Sequence, residues 1–241
     1  MEIRNHVVEF SNEIKRKGYR DQSIKNYVSC LEKYLNYFSD KPQPKAINEF
    51  DIKSYLSQFK EHNTQRAHHS AIKCFYKYVV HQPEKFRYIE YCKRSRKLPI
   101  VFSVEEMQKL FNFCLNLKHR AIIGLMYSTG LRVGEVINLK IENIDSSRMV
   151  INIINAKGGK DRQVMLNQNL LELLRNYFKE YRPKEYLFNG QNSIKYSERS
   201  ISEFLKNYAE KAGLKKRIYP HLIRHCSFTH LVKSGTDINL I

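Results

Sequence analysis

Ser128–Asp145 reads STGLRVGEVINLKIENID. Gly130 suits the left-handed position that closes one helix, and Arg132 then opens a second amphipathic stretch through Val133, Val136, Ile137 and Leu139. The segment therefore predicts a helix, a glycine turn and a second helix, with an arginine at the corner. An arginine so placed can be aimed at an anion. Glu135, one turn further on, is placed to orient it through a carboxylate hydrogen bond. Taken alone, the same residues describe a surface arginine beside a helix cap.

Two other segments share this chemistry. PHLIRH, Pro220–His225, reads as the start of a helix, and its His221 and Arg224 are three residues apart, which puts both side chains on one face. Between the two sites lies MVINIINAKGGKDRQVML, Met149–Leu166. Its strand-like runs 149–154 and 162–166 are joined by a turn carrying Lys157, Gly158, Gly159 and Lys160, which predicts a hairpin with a lysine at its tip.

Two arginines, a histidine and a hairpin lysine, in this order and in these contexts, resemble the tyrosine recombinase (phage integrase) family, particularly its small Xer-like members. TGLRVGE (129–135) is similar to the family's first-arginine box, AKGGKDRQVML (156–166) to its lysine hairpin, and HLIRHCSFTHLVKSGTD (221–237) to its histidine-x-x-arginine helix with the following turn. The resemblance covers nearly the whole chain. It implies a mainly α fold, with an N-terminal helical core-binding (SAM-like) domain and a C-terminal mixed α/β catalytic domain that carries a small antiparallel sheet. It also implies site-specific DNA recombination without metal or cofactor, strands being cut and rejoined through a 3′-phosphotyrosine.

Under this resemblance Arg132 and Arg224 are the phosphate clamp. A reacting phosphodiester gains charge on its non-bridging oxygens, and planar guanidinium groups meet that charge with paired hydrogen bonds. Donors already in place as the charge develops contribute on the order of a few kcal/mol each. Lys157 matches the general acid that protonates the leaving 5′ oxygen, and Lys160 is a rival that otherwise reads as a hairpin charge near DNA. His221 would donate to the same phosphate or move the nucleophile's proton. His225 and His230 match nothing in the pattern and are expected at the surface or in packing.

The family pattern continues with a leucine-glycine-histidine segment and then the nucleophilic tyrosine, and the 241 residues end at Ile241 before either. Of the tyrosines present, Tyr127 falls on an apolar helix and Tyr219 in the turn before His221, so neither matches the nucleophile. The expectation is a trimmed or fragmentary recombinase that binds duplex DNA without cutting it. At full length the resemblance implies a homotetrameric synapse.

Composition points to the same partner. Lys plus Arg number 42 against 24 for Asp plus Glu, a formal net charge of +18, which favours a polyanion. No apolar run is long enough to span a bilayer and MEIRNHVVEF lacks a signal-peptide core, so a cytoplasmic, nucleoid-associated protein is expected. Cys30, Cys74, Cys92, Cys114 and Cys226 are odd in number and widely spaced, and read as reduced packing residues. His68 and His69 cannot both reach one ion from one helix face, and no zinc-like spacing occurs, so no metal site is assigned.

Residues 1–91 carry four apolar stripes at helical spacing: Ile3 to Ile14, Ile24 to Phe38, Ile52 to Phe59, and Ala67, Ala71, Phe75, Tyr78 and Val79. A basic linker is expected over 92–99, where Lys93, Arg94, Arg96 and Lys97 serve equally as solvated charges or as phosphate contacts. A second domain is expected over 100–241. Ser103 and Glu106 form a capping box at its start, with Phe102 and Met107 as the hydrophobic staple. Helices are expected over 104–117, 120–128, 133–139, 169–181, 200–212 and 221–233, with a short strand near Ile144 and stops at Gly213 and Gly235.

Two other classes of protein fit part of the pattern: a non-catalytic DNA-binding or architectural protein on the same fold, and a type IB topoisomerase-like enzyme. Lys157 disfavours the first, and the small N-terminal domain disfavours the second. All three readings require duplex DNA binding driven by charge. The logarithm of the affinity, titrated by fluorescence anisotropy, is expected to fall with the logarithm of salt at a slope of about 0.9 per phosphate neutralised. Binding insensitive to salt would remove the electrostatic basis of all three.

Overall fold

The computed structural model describes residues 3–91, 100–154, 161–191 and 194–235. The chain divides into two compact units, Met1–Lys97 and Leu98–Ile241. The stretch expected as a basic linker, 92–99, lies outside the described residues.

In the first unit four helices, α1 (Ile3–Arg16), α2 (Asp21–Tyr37), α3 (Glu49–Ser57) and α4 (His62–Tyr78), enclose one core. Phe10 and Ile14, Leu31, Tyr34 and Leu35, and Ile52 and Tyr55 are buried as their stripes predict. The fourth stripe buries Ala71 and Phe75 as expected, but the buried face is wider than the stripe. Tyr78 and Val79 are half-buried, whereas His68, His69, Ile72 and Tyr76 are buried. The reason is that α4 packs against α1, α2 and α3, so it buries more than one face. The two histidines go separate ways, Nδ1 of His68 bonding the Tyr55 hydroxyl at 3.0 Å and Nε2 of His69 bonding Ile89 O at 2.8 Å.

The second unit runs α5 (Val104–Phe113), α6 (Leu117–Thr129), α7 (Val133–Ile137), β1 (Ile144–Asp145), β2 (Val150–Ile153), β3 (Arg162–Met165), α8 (Gln168–Tyr181), α9 (Glu198–Lys211) and α10 (Pro220–Lys233). The strands form an antiparallel sheet in the order β1-β2-β3, with Val150 opposite Met165 and Ile153 opposite Arg162. The capping box of Ser103 and Glu106 opens α5, with bonds of 2.7 and 3.2 Å. Its end departs from the expected Leu117. Asn116 accepts from the His119 N–H at 3.1 Å and so caps a new helix, making Leu117 the first residue of α6.

Helix α6 is the centre of this unit: Ala121, Ile122, Ile123, Leu125 and Met126 are fully buried, and it packs against both α8 and α10. Helix α10 is tied to the segment before α5 by two side chains one turn apart. Cys226 Sγ accepts from the Phe102 N–H at 3.3 Å, and His230 Nε2 donates to Phe102 O at 2.9 Å. A carbonyl only accepts, so Nε2 carries the proton; in neutral His230, Nδ1 accepts from the Tyr127 hydroxyl at 2.7 Å. No helix of the described residues is long and apolar enough to cross a membrane.

His119 joins the start of α6 to α9. Its ring stacks on Phe204 with centroids 4.0 Å apart, and its nitrogens bond the hydroxyls of Tyr208 and Tyr196 at 3.1 and 3.0 Å. Burial and the neighbouring Lys118 charge hold its pKa down at about 4, against an ordinary 6.5. Because folding lowers this pKa, the contribution is complete above pH 6.5 and disappears as pH falls through about 4. Urea unfolding between pH 7 and 4 should show a progressive loss of stability from this group. His119→Gln should be less stable at pH 7 and flatter across the window; an equally steep profile would place the titration elsewhere.

Candidate active site

The corner predicted from the sequence exists. Gly130 closes α6 with φ +62°, and a Cβ there would lie 2.8 Å from Cζ of Phe228, so both the backbone and the space require glycine. Leu131 is buried, and Arg132 in extended conformation leads into α7. Glu135 reaches back as foreseen: Oε2 accepts from the Arg132 N–H at 2.8 Å and Oε1 from Arg132 Nη1 at 3.1 Å. Arginine offers no acceptor in return, so this is half of a capping box.

A third charged residue, absent from the sequence reading, stands with them. Arg162 at the start of β3 grips the same carboxylate with both terminal nitrogens, Nη1 to Oε1 at 2.9 Å and Nη2 to Oε2 at 2.7 Å. The sequence marked this position only as the beginning of a strand; an inward-facing arginine after a hairpin was the available signal. Burial alone would push the Glu135 carboxyl up, but the hydrogen bonds from Arg162 and Arg132 outweigh it and hold the pKa at about 2.

Arg224 enters from α10. Its Nη1 donates to the Gly130 carbonyl, and its guanidinium lies 4.5 Å from the centroid of the Phe228 ring, one turn further along the same helix. Phe228 therefore supports both the glycine corner and the arginine. Burial lowers the Arg224 pKa first, and the nearby charges of Arg132 and Arg162 lower it further, partly opposed by Glu135. Two guanidinium groups thus share one carboxylate, and the charge of a third is felt beside them. A half-buried site with surplus positive charge and planar donors is suited to a phosphate or another oxyanion.

His221 is exposed in the first turn of α10, one helical turn before Arg224. His225 is exposed, and His230 is a packing residue between Tyr127 and Phe102. Lys157 and Lys160 lie outside the described residues, as do Lys93, Arg94, Arg96 and Lys97. What the structure brings together is Arg132, Glu135, Arg162 and Arg224.

The low Glu135 pKa gives this cluster an acid limb. Its ion pairs stabilise the fold above the ordinary carboxyl value of 4.5, and that contribution is lost as pH falls toward about 2. Glu135→Gln is expected to cost about 1 to 3 kcal/mol at pH 7, because three cations lose their counter-charge. The variant should lose less on acidification from pH 4.5 to 2 than the parent in urea titrations. An unchanged acid limb would assign the titration to another carboxylate.

Residues 101–241 match the phage integrase family, and residues 7–85 match the phage integrase N-terminal SAM-like domain. Integrase/recombinase y4qK of Sinorhizobium fredii is 40% identical over 150 residues, which is 62% of this chain and 49% of that protein. The matched stretch therefore spans about half of that relative's length. Tyrosine recombinase XerA of Pyrococcus furiosus is 30% identical over 99% of this chain and 84% of its own. In fold, a lambda integrase dimer bound to a COC′ core site aligns with a TM-score of 0.81 at 16% identity, over 98% of this chain and 92% of that one. With both of its units matched in the expected order, this chain belongs to the phage integrase (tyrosine recombinase) family.

Proposed function

We propose that this chain binds the duplex DNA of a recombination site and grips one phosphodiester there as a site-specific tyrosine recombinase does. The observation that carries the reading is the convergence of Arg132 and Arg224 at the Gly130 corner, with Glu135 bonded to Arg132 and Arg162. Arg132 and Arg224 hold the non-bridging oxygens. His221, one turn before Arg224, donates to the same phosphate, and Lys157 protonates the leaving 5′ oxygen. Positive side chains supply the charge stabilisation, so the step proposed is independent of a divalent ion. Lys93, Arg94, Arg96, Lys97 and Lys160 follow the DNA backbone, and the assembled protein works as a homotetrameric synapse.

Two tyrosines flank the site in sequence. The Tyr127 hydroxyl is bonded to His230, and burial, followed by Cys226, pushes its pKa up. Tyr219 precedes α10 at its exposed N-terminus. Neither is proposed as nucleophile, so these 241 residues should hold DNA without becoming attached to it.

One experiment tests both parts. The 241-residue chain, incubated in EDTA with a nicked suicide duplex, should retard it on a native gel and leave no covalent band on a denaturing one. Arg132→Ala and Arg224→Ala should each weaken binding by about 1 to 3 kcal/mol while remaining folded. A covalent band would mean that one of these tyrosines attacks, and undiminished binding by both variants would remove the clamp.

A further inference from the structure

We infer that Arg162 is a positioning residue for Arg132, acting through Glu135; the inference rests on the phosphate-clamp reading above. Along β3 the side chains alternate, with Arg162 and Val164 half-buried and Gln163 and Met165 exposed. A charged residue is thus turned inward at the first position of a strand, where it costs desolvation unless it is paired. The pairing is the tightest in the site. Arg162 meets Glu135 fork to fork at 2.9 and 2.7 Å, whereas the sequence neighbour Arg132 reaches the same carboxylate with one guanidinium nitrogen at 3.1 Å.

This division of bonds has a consequence for Arg132. Two parallel bonds from Arg162 fix the plane of the carboxylate, and that plane sets Oε2 on the Arg132 main chain and Oε1 on its Nη1. With Arg162 present, Glu135 steadies Arg132 without taking up its whole fork. Without Arg162, the carboxylate can turn to chelate Arg132 and compete with an incoming phosphate for the same donors. Arg162 also adds positive charge to the cluster beyond what the Glu135 carboxylate that it shares with Arg132 can balance.

The test uses the 241-residue chain and inorganic phosphate at constant ionic strength, read by the Nε–H resonances of Arg132, Arg162 and Arg224 in a 15N-labelled sample. In the parent, phosphate should shift Arg132 and Arg224 and leave Arg162 in place. In Arg162→Ala the apparent affinity read at Arg132 should fall about ten-fold, the size expected for loss of a supporting partner. Arg162→Lys, which keeps the charge but not the fork, should fall in between; it also serves should the alanine variant not fold. Adding Arg162→Ala to Glu135→Gln should cost little more than Glu135→Gln alone, since both act through one carboxylate. The inference is overturned if Arg132 responds normally in a folded Arg162 variant, if the two losses add in full, or if the Arg162 resonance itself moves with phosphate. No response at Arg132 and Arg224 in the parent would instead overturn the clamp reading, and the role of Arg162 with it.

Discussion

The structure of the site depends on one carboxylate. Glu135 sits one turn into a five-residue helix and accepts four hydrogen bonds, two from Arg132 and two from Arg162. Burial alone would favour its neutral form, which could accept only part of this set and would leave three cations facing one another. The hydrogen bonds outweigh burial, and the carboxyl remains ionised to about pH 2. The consequence spreads along the chain, because Arg132 begins α7 whereas Arg162 begins β3. A short helix and a sheet edge are joined through a side chain, in a unit where neither is long enough to be rigid by itself.

The second arginine is held by different means. Arg224 is bonded to a main-chain carbonyl, Gly130 O, and stacked on Phe228, neither of which cancels its charge. The carbonyl is available because α6 ends there in a left-handed turn, and the ring fits because Gly130 has no Cβ. Helix α10 is in turn fixed one face away by Cys226 and His230 on the backbone of Phe102, so the direction from which Arg224 enters is set by the start of the domain. Fold and site therefore share residues at this corner, and a change at Phe228 would disturb both.

Much of this was legible in the sequence, and the reasons are physical. Periodicity at helical spacing reports burial directly, which is why the helices of both units and the hairpin strands could be placed from residue types. The Gly130 corner and the Glu135–Arg132 bond were legible because both are local, spanning three to five residues. The failures were of two kinds. Helix α4 buries a wider face than a stripe predicts, because three other helices surround it, and Asn116 ends one helix by capping the next. Arg162 was missed because its partner lies 27 residues away, with two strands between them, and no local pattern carries that distance.

The way each arginine is held bears on what the cluster can do. An arginine chelated by its own carboxylate is a structural pair, with little charge left for a ligand and few donors facing outward. Here the tightest pairing goes to Arg162, at the sheet edge, while Arg132 shares the same carboxylate through one guanidinium nitrogen and Arg224 rests on a neutral carbonyl and a ring. The charge that the fold leaves uncancelled is therefore concentrated on Arg132 and Arg224, the two residues proposed to grip the phosphate. Burial lowers the Arg224 pKa most, and the nearby charges of Arg132 and Arg162 lower it further, so like charges gathered in a half-buried corner oppose one another. An anion seated between two such groups would relieve that repulsion, which is what the proposed phosphate clamp requires.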